Sequence, residues 1–153
     1  MAQRRSDIVR IGPQHARSGI ITVRPQRTAR TTGVTLDIPI HDGLAAILTK
    51  TPVAHLTYLT RSFGIPFTAA GFGNKFREWC NEAGLPNCSA RGLRKAQCRK
   101  LAEAGCSEHQ IAAITGHSNL AEIRTYTRAV EQARLARSAL SKSASDPRPG
   151  RTG

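Results

Sequence analysis

The chain has 153 residues, 23 Lys and Arg against 10 Asp and Glu, a formal net charge of +13 and a sequence pI near 11.0. That is one domain's length, and with 39% hydrophobic but only 5% aromatic residues its core must be built from Ala, Ile, Leu and Val, which suits a compact, mainly helical domain. The longest apolar run, Gly43 to Leu48, falls far short of the roughly 20 residues of a membrane-spanning helix, so a transmembrane protein is excluded.

In chain order, Met1 to Asp7 lacks the apolar stretch of an export signal, and no export is expected. Residues 4–11 carry Ile8, Val9 and Ile11 behind Ser6-Asp7 and read as a short helix running into a loop. Gly19 to Val23 reads as a strand. Val34, Leu36, Ile38 and Ile40 alternate as the second arm of a hairpin, and Pro39 favours an edge position. The polar turn between them places Arg24, Arg27 and Arg30 at every third position. Asp42 is placed to cap a helix carrying Leu44, Ile47 and Leu48, which stops at Thr51-Pro52. An irregular stretch, 53–66, contains His55, Tyr58 and Phe63.

The clearest helix follows. Phe72, Phe76, Trp79, Cys80 and Ala83 keep helical spacing until Gly84-Leu85-Pro86 stops it. This stripe reads as core rather than as a platform for stacking bases. Ser89 is expected to cap a helix that buries Leu93, Ala96 and Leu101 and turns Arg91, Arg94, Lys95 and Arg99 outward. Ser107 to Gln110 forms a capping box for a helix containing Ile111, Ala112 and Ile114, which Gly116 ends. Asn119 and Glu122 open the last helix, whose apolar side runs through Ile123, Tyr126, Val130, Ala133 and Leu140. Residues 1–140 are expected to form the domain and 141–153 a disordered tail.

Cys80, Cys88, Cys98 and Cys106 fall in or beside helical patterns, as the reduced thiols of a cytoplasmic protein do. Seven, nine and seven residues separate neighbours, whereas a zinc site wants a close pair such as C-x-x-C, and no metal is expected. Of the cations 18 are Arg, whose planar fork binds phosphate through two parallel hydrogen bonds. The charge points to a polyanion, nucleic acid before others.

Three features then stand in a fixed order: Gly92-Leu93-Arg94-Lys95 on one helix, Thr115-Gly116-His117 at the end of the next, and Tyr126 nine residues after His117. Together they resemble the catalytic domain of the tyrosine recombinase (phage integrase) family. The resemblance covers nearly all of residues 3–137. Gln3-Arg4-Arg5-Ser6-Asp7 resembles the segment of the family's first catalytic Arg, here Arg4, and Arg27 in Pro25-Gln26-Arg27-Thr28 occupies the hairpin turn where the family has a catalytic Lys. The resemblance implies an α+β, mainly helical fold with a small hairpin or sheet on its N-terminal side. It also implies a catalytic set of Arg4, Arg27, Arg91, Arg94, His117 and Tyr126, and double-stranded DNA as the partner on which protomers assemble. The implied activity is site-specific DNA recombination or integration through a 3′-phosphotyrosyl link, without metal, ATP or other cofactor.

Physical chemistry supports those residue types. Two guanidiniums, Arg4 and Arg94, stabilise the charge that gathers on phosphate oxygens in the transition state, His117 donates to the same group, and neighbouring cations favour the phenolate of Tyr126. Arg91 stands where the family usually has His, and Arg27 where it has Lys. Arg keeps the charge but does not exchange protons near neutral pH, so DNA affinity is expected to outlast catalytic rate. Relative to the family the chain also begins close to its first Arg, and a truncated, marginally stable domain is expected. The rival reading is a non-catalytic DNA-binding remnant of an integrase. A helix-turn-helix regulator fits less well, because Ser107 to Thr115 offers no Arg or Lys to read bases.

Overall fold

Strand alternation in the first third of the chain builds a three-stranded antiparallel sheet. The computed structural model describes residues 1–29, 33–51 and 56–144. After a short helix, α1 (Arg5–Ile8), and a single 3-10 turn, β1 (Ala16–Arg17) pairs with β2 (Ile20–Val23), which pairs with β3 (Leu36–Pro39). The register sets Ile21 opposite Ile38 and Val23 opposite Leu36. All four side chains are buried with Ile11 in one cluster, as a period of two demands of a half-buried sheet. The expected hairpin thus gains a third strand, whose two residues are too few to show a pattern. Pro39 sits on the edge strand with its missing N–H at no cost to a ladder. Arg30 and His55 lie outside the described residues.

Five helices surround the rest. In α2 (Asp42–Lys50) the expected cap moves by one residue: the ring Nδ1 of His41, not Asp42, accepts the Gly43 N–H at 3.1 Å. Asp42 instead lies in the first turn, where its charge suits the helix dipole. Helix α3 (Ala69–Glu82) is capped by Thr68, whose Oγ1 accepts the Gly71 N–H. Of its aromatic stripe Phe72 is buried, while Trp79 is 43% exposed. Phe67, Phe72, Phe76 and Trp79 meet edge to face or tilted, so the stripe forms a peripheral aromatic cluster.

Helix α4 (Ala90–Glu103) corrects the sequence reading. Its inward face is Cys98 and Ala102, with Arg94 half-buried one turn before Cys98, whereas Leu93 is 59% exposed. Counting apolar residues rotated the helix by one position because it assigned Arg94 to solvent. The guanidinium enters the protein because carbonyls receive its donors. Helices α5 (Glu108–Thr115) and α6 (Leu120–Ala144) complete a second cluster of Cys98, Ala102, Ile111 and Ile123, against which Leu101, Tyr126 and Val130 pack. The capping box of α5 is present: Ser107 Oγ accepts the Gln110 N–H, and Gln110 Oε1 accepts the Ser107 N–H.

Helix α5 joins the two clusters, since Ile111 is fully buried among the helices while Ile114 packs against the sheet. Helix α6 runs to Ala144, past the Leu140 boundary, and every residue from Glu131 to Ala144 is exposed, Ala133 and Leu140 included. No helix among the described residues is long and apolar enough to cross a membrane. The four cysteines are free thiols.

The turn that ends α5 depends on Gly116, which adopts φ 68° and has room for no side chain: an added Cβ would lie 2.7 Å from Leu36 Cδ1. Gly116→Ala is expected to destabilise the fold by about 1 to 2 kcal/mol from the left-handed backbone alone, more with the Leu36 clash, read as a lower midpoint in urea unfolding.

Candidate active site

Position 94 organises the site because its guanidinium binds two separate segments, the start of the chain and the turn that ends α5. Nη1 of Arg94 donates to the Ala2 carbonyl at 2.5 Å and to the Thr115 carbonyl at 2.7 Å, while Nη2 lies 3.2 Å from Nε2 of His117. Gln3 adds a second tie from the N-terminal segment, its Nε2 donating to the Ile114 carbonyl at 2.7 Å. These bonds seat the start of the chain on the end of α5 and so fix Arg4 beside Arg94. Burial, and next the charge of Arg4, push the Arg94 pKa down, although a guanidinium stays protonated in proteins.

All six residues singled out in the sequence, Arg4, Arg27, Arg91, Arg94, His117 and Tyr126, line one cavity of about 730 Å³. Arg27 reaches it from the turn after β2. That turn is tethered by Asp7, whose Oδ1 accepts the Gln26 N–H at 2.9 Å. The Nη1 of Arg4 is buried and has no hydrogen-bond partner among the described residues. A buried, unpaired charged donor is costly unless a ligand supplies the acceptor, and an anion is the ligand that a cationic donor favours.

The sequence reading missed further lining groups: Arg5, Asn74, Arg77, Lys95 and Glu122. Arg77 and Asn74 stand three residues apart on α3, off the aromatic stripe that drew the eye, and an i, i+3 polar pair was the available signal. Gly73 lets the Arg5 side chain lie against α3, since a Cβ there would collide with Arg5 Nη1. Among the described residues Glu122 is the single carboxylate on the cavity wall, facing seven cations: Arg4, Arg5, Arg27, Arg77, Arg91, Arg94 and Lys95. Such an enclosure concentrates positive potential. It holds no group of His, Cys, Asp and Glu able to bind a metal ion among the described residues.

His117 is the most perturbed group. Burial first, then the Arg94 charge, push its pKa down to about 4 against the opposing pull of Glu122, whose Oε2 lies 3.6 Å from Nε2. Thr115 Oγ1 lies 2.6 Å from the other ring nitrogen. With its pKa so lowered, His117 is a neutral ring at neutral pH in the free protein, in keeping with the expected hydrogen-bond donor that supplies direction more than charge.

The model of the phage integrase family matches residues 1–133. No curated protein matches the sequence. Among solved structures, the fold is similar to that of the Tn1549 transposon integrase in complex with transposon right-end DNA (TM-score 0.71, 17% identity, 88% of this chain and 55% of that one). It is also similar to XerA recombinase (TM-score 0.68, 13% identity, 89% and 53%). A third is a lambda integrase dimer bound to a COC′ core site (TM-score 0.63, 18% identity, 82% and 47%). The chain therefore spans about half the length of these structures.

The depressed His117 pKa carries a stability consequence. Between its ordinary value of 6.5 and about 4 the unfolded chain binds more protons than the folded one, so stability is full above that interval and is lost as pH falls through it. Urea midpoints measured across the interval are expected to fall with pH, and His117→Asn is expected to remove that part of the slope.

Proposed function

The chain belongs to the phage integrase family, and from that membership we propose that it carries the catalytic domain of a tyrosine recombinase, cutting and rejoining DNA strands in site-specific recombination. The observation that supports this reading is the buried, unpartnered Nη1 of Arg4 in a cavity shared with Arg94, His117 and Tyr126. A phosphodiester bound there receives donors from Arg4 and meets a wall of further guanidiniums. Tyr126 Oη attacks phosphorus, the new P–Oη bond replaces the P–O5′ bond, the phenol proton passes to solvent and the released 5′-oxygen takes a proton from water. The phosphotyrosyl link keeps the energy of the broken bond, so a second 5′-hydroxyl can reverse the step without ATP. Cations preorganised around the phosphate stabilise the added transition-state charge.

The partner in this reading is double-stranded DNA, on which protomers assemble, as the DNA-bound Tn1549 integrase and the lambda integrase dimer suggest. Binding is carried largely by backbone phosphates, each contributing about 0.9 to the slope of log affinity against log salt. Proton transfer is where the chain is weak. Arg27 and Arg91 supply charge but neither a general acid nor a general base, and the loss of each such group costs roughly 100- to 10,000-fold in rate. We propose that DNA binding is retained while cleavage is slow.

A nicked suicide substrate, which traps the covalent intermediate by losing the attacking 5′-hydroxyl, tests this. The expected result is a low-yield adduct that Tyr126→Phe abolishes while salt-dependent retention of the duplex is unchanged. No adduct from the parent chain, with retention intact, would favour a non-catalytic DNA-binding remnant.

A further inference from the structure

The environment of His117 specifies more than its charge. Thr115 has one hydroxyl proton, and the Ile111 carbonyl, 2.7 Å from Oγ1, can only accept it. The 2.6 Å contact between the same Oγ1 and Nδ1 of His117 therefore needs its proton on Nδ1. Arg94 Nη2 lies close to both ring nitrogens, 3.2 Å from Nε2 and 3.3 Å from Nδ1; a neutral imidazole has one N–H, so with the proton on Nδ1 it is Nε2 that carries the lone pair. The Glu122 carboxylate stands 3.6 Å from Nε2, beyond hydrogen-bond distance, and a phosphodiester oxygen, which carries no hydrogen either, gains a hydrogen bond there only from a protonated Nε2. Only the doubly protonated ring presents Nε2–H to a phosphate.

The charged groups that bear on the ring come from three elements. Arg94 on α4 and Arg4 ahead of α1 disfavour the imidazolium, and Glu122 on α6 alone favours it. The Glu122 side chain is 57% exposed while that of His117 is 9% exposed, so the carboxylate is free to swing into water when another anion arrives.

We propose that phosphate capture in this cavity is coupled to the uptake of one proton by His117, with Thr115 and Glu122 as the positioning residues. Thr115 holds the neutral ring as the Nδ1–H tautomer. Glu122 faces Nε2 and holds the place that a phosphate oxygen takes over in the complex. On binding, one proton from solvent adds to Nε2, the new N–H is shared with the phosphodiester, and Glu122 is released; no bond of the DNA changes. This rests on the reading of the cavity as a phosphodiester site. Because the free ring holds little proton above about pH 4, affinity falls as pH rises, by up to about tenfold per pH unit, until the complex also gives up the proton.

The test uses the full chain carrying Tyr126→Phe, so that cleavage does not compete, and a short DNA duplex at fixed salt between about pH 5 and 8. Expected are affinity that declines with pH and nitrogen NMR shifts that report an Nδ1–H ring in the free protein. Thr115→Val keeps the side-chain shape while removing the acceptor; it is expected to release the Nε2–H tautomer and flatten the pH dependence without abolishing duplex binding. Glu122→Gln, at an exposed position, is expected to lower the ring's pKa further in the free protein. An Nε2–H ring in the free parent, an unchanged pH dependence in Thr115→Val, or a ring pKa unmoved by Glu122→Gln would overturn the proposal. The strand-cutting reading fails separately, since it is judged by the covalent adduct whereas this coupling is judged by affinity and ring state. A duplex whose affinity ignores Arg91→Gln and Arg27→Gln would remove the phosphate from the cavity, and the coupling with it.

Discussion

The rest of the site depends on one half-buried guanidinium. Taking Arg94 out of water is unfavourable, and the structure offsets that cost with carbonyls from two distant segments, at Ala2 and Thr115. A hydrogen bond from a charged donor is worth roughly twice a neutral one. Here two of them join the N-terminal segment, α4 and the end of α5 at one point. Arg4 and His117 take their positions from that junction. The sheet side meets it at Gly116, where an added Cβ would lie 2.7 Å from Leu36 Cδ1 and 3.4 Å from Pro25 Cγ.

What the sequence made legible, and what it did not, follows from the same residue. Periodicity works where an element divides cleanly into apolar and polar faces: β2 and β3, with Ile21, Val23, Leu36 and Ile38 on one side, and α5, with its capping box and terminal Gly116, were readable for that reason. It failed on α4, where a buried Arg and an exposed Leu93 invert the usual assignment, because the compensation for Arg94 lies in backbone carbonyls 92 and 21 residues away in sequence. The six candidate residues, which line one cavity, were named through spacing that resembles a family. Their neighbours Arg77, Lys95 and Glu122 were not, since only the packing of α3, α4 and α6 brings them onto one wall. The cap of α2 shifted from Asp42 to His41 for a smaller reason: an imidazole nitrogen can accept a backbone N–H as a carboxylate does.

Charge is divided unevenly between affinity and chemistry. Seven cations face the cavity and one carboxylate opposes them, an imbalance that suits a polyanion far better than a neutral substrate. Two of those cations, Arg27 and Arg91, stand where the family resemblance implies Lys and His, and a guanidinium carries charge without exchanging protons near neutral pH. The remaining group that titrates near neutrality in an ordinary setting, His117, is held neutral by burial and by Arg94.

Whether Arg4 and Arg94 hold a backbone phosphate against Tyr126 is tested most directly by a crystal structure of the chain bound to a DNA duplex. The expected complex has a single phosphate accepting from the now satisfied Nη1 of Arg4, next to Arg94, with Tyr126 Oη directed at phosphorus. A complex in which Nη1 of Arg4 stays unpartnered and the phosphates lie along the exposed second half of α6 would contradict it.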